Sequence, residues 1–295
     1  MLYQAQFSGE FLERLNEAYF EGSQNDARPN SNNYGSDNDN ISVWDMFFWT
    51  VSSGAGNDTI LFANDDRPIT VYAGSGNDYI EGGFGNDTIY AGSGDDWVHG
   101  GNGDDIAYGG SGNDHIDDEL QGNDTFYGGS GHDHIEGGYG NDMLSGGVDN
   151  DWLYGQHGND TLYGGFGNDN LNGGRGQDIL TGNEGTDTFW FGDGTAATSS
   201  PSPRYAPDQI TDLSRNGGDH INLTKLDSNM DVAGFQNDFV LVSGQSQQIG
   251  AIWIEGIGAD RTVYVNTSVK DGAEIAINVH LTDSYPSLSG WDFEL

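Results

Sequence analysis

One carboxylate recurs at a fixed interval through the middle of this 295-residue chain. From Ala73 the sequence reads in steps of nine as AGSGNDYIE, GGFGNDTIY, AGSGDDWVH, GGNGDDIAY and GGSGNDHID. A ten-residue unit, DELQGNDTFY, follows. The register then resumes with GGSGHDHIE, GGYGNDMLS, GGVDNDWLY, GQHGNDTLY, GGFGNDNLN, GGRGQDILT and GNEGTDTFW, ending at Trp190. An earlier copy, SGAGNDTIL, starts at Ser53 and is set apart by an 11-residue insertion, 62–72. The consensus is Gly-Gly-x-Gly-x-Asp-x-apolar-x. Its sixth position is Asp in all fourteen copies: Asp58, Asp78, Asp87, Asp96, Asp105, Asp114, Asp124, Asp133, Asp142, Asp151, Asp160, Asp169, Asp178 and Asp187. Carboxylate oxygens beside the peptide carbonyls of Gly-rich turns make an all-oxygen donor set, which suits a hard cation of Ca²⁺ size.

The rest of the repeat must position those carboxylates. Its Gly-rich half is a turn that visits φ > 0 and approaches its neighbours closely. Its last three residues, one apolar between two outward ones, form a very short strand. The apolar residues are Ile60, Ile80, Ile89, Val98, Ala107, Ile116, Phe126, Ile135, Leu144, Leu153, Leu162, Leu171, Leu180 and Phe189. One such side chain per nine residues cannot fill a globular core. It can fill a thin one between two parallel sheets if the chain winds as a solenoid. The carboxylates then stack in columns along the two turn-bearing edges and repel unless cations separate them.

Charge points the same way. The chain has 47 Asp and Glu against 9 Lys and Arg, a formal net charge of −38. Within 73–190 there are 22 acidic residues and one basic residue, Arg175. Roughly one Ca²⁺ per repeat would supply on the order of +26 and cancel that excess. Such a balance excludes an electrostatic nucleic-acid binder and a polybasic membrane binder, both of which need a basic patch. Cysteine is absent, which removes disulfides, thiol nucleophiles and thiolate-bound zinc. Residues 1–10 carry no basic residue and no apolar run, so no Sec-type signal peptide is expected there. No run approaches the roughly 20 apolar residues of a membrane-spanning helix.

On these residues the array resembles the RTX (hemolysin-type) calcium-binding nonapeptide, over roughly 53–190. The resemblance implies an all-β fold, a right-handed parallel β-roll in which turns of alternate repeats hold Ca²⁺ through backbone carbonyls and the sixth-position Asp. Three units depart from the motif: 118–127, the unit with Asp149 in place of Gly, and the unit with Gln156 and His157. Cation sites built from those turns are the ones the motif does not support.

The expected domains are 1–50, 51–191 and 192–295. The first holds an amphipathic helix with Phe7, Phe11, Leu12, Leu15, Ala18 and Tyr19 on one face and Ser8 as N-cap, expected to cover the open end of the solenoid. The aromatic run VWDMFFW at 43–49 is either a first cap strand or an exposed binding patch. In the third domain, 192–207 is a Pro-rich loop; the segments 208–213 and 219–223 follow, then strand-like runs at 239–243, 251–254 and 262–266, and the chain closes with 276–281 and SLSGWDFEL. This tail resembles the C-terminal domain of serralysin-type metalloproteases and mannuronan epimerase modules. That resemblance implies a β domain capping the roll and an uncleaved type I secretion signal. Its closing pattern is matched by Asp292, Phe293 and Leu295, with departures at Glu294, Leu213 and Asn222.

No catalytic residue is assigned. A zinc protease needs His-Glu-x-x-His, and the nearest approach is His132-Asp-His134 inside a repeat. On the outer faces, repeat n stacks on n+2 about 4.8 Å away. One seventh-position column reads Tyr79, Trp97, His115, His134 and Trp152, which is either cross-strand stacking that stiffens a narrow sheet or a candidate surface for polysaccharide or a cell surface. The opposite face carries Tyr90, Tyr108, Tyr127 and, after Ser145, Tyr163. His115, His134, Asp117 and Glu136 are a candidate transition-metal set. The expected function is a secreted, non-enzymatic calcium-binding protein that binds multiple Ca²⁺, leaves by the type I secretion machinery and folds outside the cell. A Ca-dependent polysaccharide-binding module and a pore-forming or signalling protein are the alternatives.

Overall fold

The structure is a computed structural model that describes residues 38–42, 50–62, 66–118, 120–191, 207–214, 217–223, 240–241, 251–255, 259–265, 275–281 and 293–294. Among these residues every regular element is a β-strand. The expected N-terminal helix, the aromatic run at 43–49 and the Pro-rich loop lie outside the described residues.

The strands form an 11-stranded and a 13-stranded sheet that alternate along the chain, so from Asn40–Ser42 to His220–Asn222 each strand pairs with the one two places away. This is the two-sheet solenoid that the spacing predicts and the parallel β-roll that the resemblance implies. In the 11-stranded sheet Ile135 pairs with Ile116 on one side and Leu153 on the other; in the 13-stranded sheet Phe126 pairs with Ala107 and Leu144. The eighth-position side chains therefore stack rung on rung in a dry interior, and all fourteen are 0 % exposed. The strands of one sheet are long, as in Thr125–Ser130, because they run on into the glycines of the following repeat. Those of the other are often only three residues, as in His134–Glu136.

Close stacking of the turns explains the glycines. Gly110 has φ +113, and a Cβ there would lie 2.1 Å from the carbonyl oxygen of Gly92 in the turn below. Only a residue without a side chain fits that approach. At three turns the motif lacks the glycine and another residue takes the left-handed conformation: Asp149, Gln156 and Asn183 have φ of 78, 72 and 68.

The roll is longer than the motif. Strand Asn40–Ser42 pairs in parallel with Thr59–Leu61, so the 11-stranded sheet begins before residue 50. At the other end Asp208–Leu213 pairs with Ile179–Glu184, and His220–Asn222 pairs with Thr188–Trp190. These C-terminal strands extend the two sheets instead of opening a new layer. Beyond them the 13-stranded sheet turns antiparallel, through Ile275–Leu281, Asp260–Val265 and Ala251–Glu255. The short strand Phe293–Glu294 pairs with His220–Asn222.

Candidate metal centre

The sixth-position aspartates line the two edges where the chain crosses between sheets. All fourteen are buried, at 3 % exposure or less. Each uses one oxygen in the same way. Oδ1 accepts a hydrogen bond from the backbone N–H of the aspartate one turn earlier or, at Asp87, from that of Ile69. On one edge Asp96 N–H donates to Asp114, Asp114 to Asp133, Asp133 to Asp151 and Asp151 to Asp169, at 2.8 to 2.9 Å. On the other, Asp105 donates to Asp124, Asp124 to Asp142 and Asp142 to Asp160, again at 2.8 to 2.9 Å. The separation is 18 residues per turn and becomes 19 where the ten-residue unit intervenes.

The second oxygen has a different fate. Asp87 aside, Oδ2 of every one of these carboxylates is buried and meets no hydrogen-bond donor. In repeats that begin with glycine it lies over that residue: a Cβ on Gly128 would sit 2.2 Å from Asp133 Oδ2, and one on Gly155 2.3 Å from Asp160 Oδ2. An uncompensated buried carboxylate oxygen is costly and calls for a proton or a cation. The titration behaviour follows. Burial is the leading cause; the amide bond to Oδ1 opposes it, and like-charged neighbours reinforce it. Asp114, Asp142 and Asp187 are pushed up to about 7, and Asp124, Asp151 and Asp160 to about 8. Repeated dry pairs of hard oxygens, next to the backbone carbonyls of the stacked turns, fit a hard divalent cation of Ca²⁺ size.

Three ladder members escape the nine-residue motif. Asp39 N–H donates to Asp58 Oδ1 at 2.8 Å; Asp178 N–H donates to Asp208 Oδ1 and Asp187 N–H to Asp219 Oδ1, at 3.0 and 2.9 Å. The signal for them is the end of the repeat alone: Asp39-Asn-Ile41, Asp208-Gln-Ile210 and Asp219-His-Ile221 all read Asp-x-apolar without the Gly-rich half. Oδ2 of Asp219 accepts from Ser214 N–H at 2.8 Å. In the departing unit 118–127, Asp118 takes the place of the first glycine and brings a further carboxylate to Asp105 and Asp124.

The outer faces are ordered, but in a way that uses their rings. Tyr72, Tyr90, Tyr108 and Tyr127 stack with centroids 4.9 Å apart and planes within 7° of parallel. Their faces are spent on one another. On the other sheet Trp97 and Trp152, both exposed, bracket His115 and His134, which stack at 4.9 Å. Tyr79 is tied to Glu81 through its hydroxyl at 2.7 Å. The candidate transition-metal set does not converge. His115 Nε2 pairs with Asp117 at 3.0 Å and His134 Nε2 with Glu136 at 2.7 Å, each within its own repeat; His99 also pairs with Asp117, and Gln156 donates to Glu136.

Fold and site together define a repeat solenoid whose edges are columns of desolvated carboxylates. Comparison with family models gives the class its name: the RTX calcium-binding nonapeptide repeat matches at residues 70–98, 82–116, 120–153, 136–171 and 163–195. Residues 70–116 and 120–195 match calcium-binding nonapeptide repeats, and Ca²⁺ is the cation that the family's description names. The match does not reach the C-terminal strands. No curated protein matches the chain.

Proposed function

We propose that this chain is a secreted, non-enzymatic calcium-binding protein whose folding is switched on by Ca²⁺ after type I export. The observation that carries the reading is the buried Oδ2 without a partner, repeated along both edges. One carboxylate performs two tasks: Oδ1 fixes the register of the neighbouring turn, and Oδ2 is held toward the turn's interior for a cation. Without cations the columns repel and the unfolded chain is favoured. Where Ca²⁺ is about millimolar, sites of the 10⁻⁴–10⁻³ M class fill, and their binding energy becomes folding energy. The export half of the reading rests on the RTX repeats and on the C-terminal pattern ending in Asp292, Phe293 and Leu295.

Isothermal titration of the chelator-dialysed chain tests the calcium reading. Multiple equivalents of Ca²⁺ should bind, with Mg²⁺ binding far more weakly. A chain that takes up no Ca²⁺, or takes up Mg²⁺ equally well, would contradict it. Removing the last few residues should block export by a type I system without changing the Ca²⁺ stoichiometry.

A further inference from the structure

The ten-residue unit interrupts the array, and its extra residue changes the chemistry of one edge. Where the repeats above and below begin with Gly100 and Gly137, this one begins with Asp118. Asp118 is 2 % exposed. Its Oδ1 accepts the Leu120 N–H at 2.7 Å, and its Oδ2 is buried without a donor. The same holds for Oδ2 of Asp105 in the turn before and of Asp124 in its own turn. One carboxylate oxygen from each of the three lies within 4.8 Å of one from the other two. The space is left by glycine: a Cβ on Gly100 would sit 2.9 Å from Asp105 Oδ2 and 3.2 Å from Asp118 Oδ2. Among the described residues, no other group of three acidic, His or Cys side chains converges in this way.

We propose that Asp105, Asp118 and Asp124 form one cation site that binds more tightly than the other rungs of either edge, so that the irregular repeat is the first to fill. The inference rests on the calcium reading of the roll and adds an order to it. Affinity for a hard cation rises with the number of charged ligands and with the rigidity of the cage. Here a third carboxylate is added, and all three are fixed by hydrogen bonds through their other oxygens: Asp105 N–H to Asp124 Oδ1, Asp87 N–H to Asp105 Oδ1 and Leu120 N–H to Asp118 Oδ1. The unit also lies in the middle of the array, with repeats on both sides. A cation bound there joins the turn of Asp105 to that of Asp124 and gives the neighbouring turns a folded surface to stack on.

The test is a Ca²⁺ titration of the full chain in competition with a chromophoric chelator, for the wild type, Asp118→Asn and Asp118→Gly. The Asn variant keeps the acceptor for Leu120 and removes the charge. The Gly variant restores the residue found at this position in most repeats. The first equivalent should bind the wild type about tenfold or more tightly than the next. Both variants should lose that first tight step and keep the later ones. If the variants retain it, or if the wild type fills every site with one affinity, the proposal is overturned while the calcium reading stands. If the wild type binds no Ca²⁺, both fall. Should the Gly variant fail to fold, the Asn variant alone decides.

Discussion

The backbone N–H of Asp142 donates to Oδ1 of Asp160 at 2.9 Å, while Oδ2 of Asp160 is buried and meets no donor. The two oxygens can be separated by mutation. Asp160→Asn keeps an acceptor for the amide and removes the charge. It should lose about one equivalent of Ca²⁺ by titration, yet be easier to fold in chelator at pH 8 than the wild type. Asp160→Ala strips the acceptor as well and leaves a buried N–H unsatisfied, at a cost of about 1–3 kcal/mol in urea denaturation. Equal behaviour of the two variants would contradict the division of labour.

The ion-free chain should be most stable in acid. Burial first, then neighbouring carboxylates, hold Asp124, Asp151 and Asp160 at about 8 in the folded chain, whereas an unfolded Asp titrates near about 3.9. Between these values the folded state binds more protons than the unfolded one. Its stability is therefore fully present below the unfolded value and is lost as pH rises through the folded one. In chelator, the urea midpoint should fall steadily from pH 5 and reach zero before pH 8, where the unfolded chain is favoured. Saturating Ca²⁺ reverses the trend, because the ligands must be deprotonated; adding Ca²⁺ at pH 7 should release protons into unbuffered solution. A midpoint that rises with pH in chelator would refute this assignment.

The thin core should be sensitive to truncation. Leu153 is 0 % exposed and sits in register between Ile135 and Leu171. With one apolar residue per repeat, no second layer can collapse into the space it leaves. Leu153→Ala should cost about 2–5 kcal/mol in saturating Ca²⁺, as large-to-small core changes do. A cost well under about 1 kcal/mol would show that the interior is not packed as described.

Asp149 offers a change in the opposite direction. It holds φ 78 where the motif has glycine, and its charge raises the titration of both Asp133 and Asp151. Asp149→Gly removes the left-handed strain of a side-chain-bearing residue, about 1–2 kcal/mol, together with a like charge. A higher thermal midpoint is expected by calorimetry in Ca²⁺; a lower one would mean that Asp149 has a role the strain does not reveal.

Much of this was legible in the sequence because the repeat encodes both halves of the structure in nine residues. The eighth-position residues from Ile60 to Phe189 specify the core, and the sixth-position aspartates specify the edges, since strand pairing at 18-residue steps admits only one register. What escaped was whatever breaks the nine-residue count. Asp39, Asp208 and Asp219 join the columns through long-range pairing, without the Gly-rich half that marks a repeat. Asp118 looked like damage to the motif, and only the stacked turns show its carboxylate meeting those of Asp105 and Asp124. The tyrosine column was visible as a row, but whether its ring faces look outward or at one another depends on side-chain torsions that spacing does not fix.

The most direct test of the central claim is far-UV circular dichroism of the purified chain during a Ca²⁺ titration, with Mg²⁺ as control. A cooperative change from coil to β-sheet with Ca²⁺ alone is the predicted result. A chain already folded in chelator at pH 8, with no further change on adding Ca²⁺, would show that the carboxylate columns are neutralised in some other way and would contradict the switch.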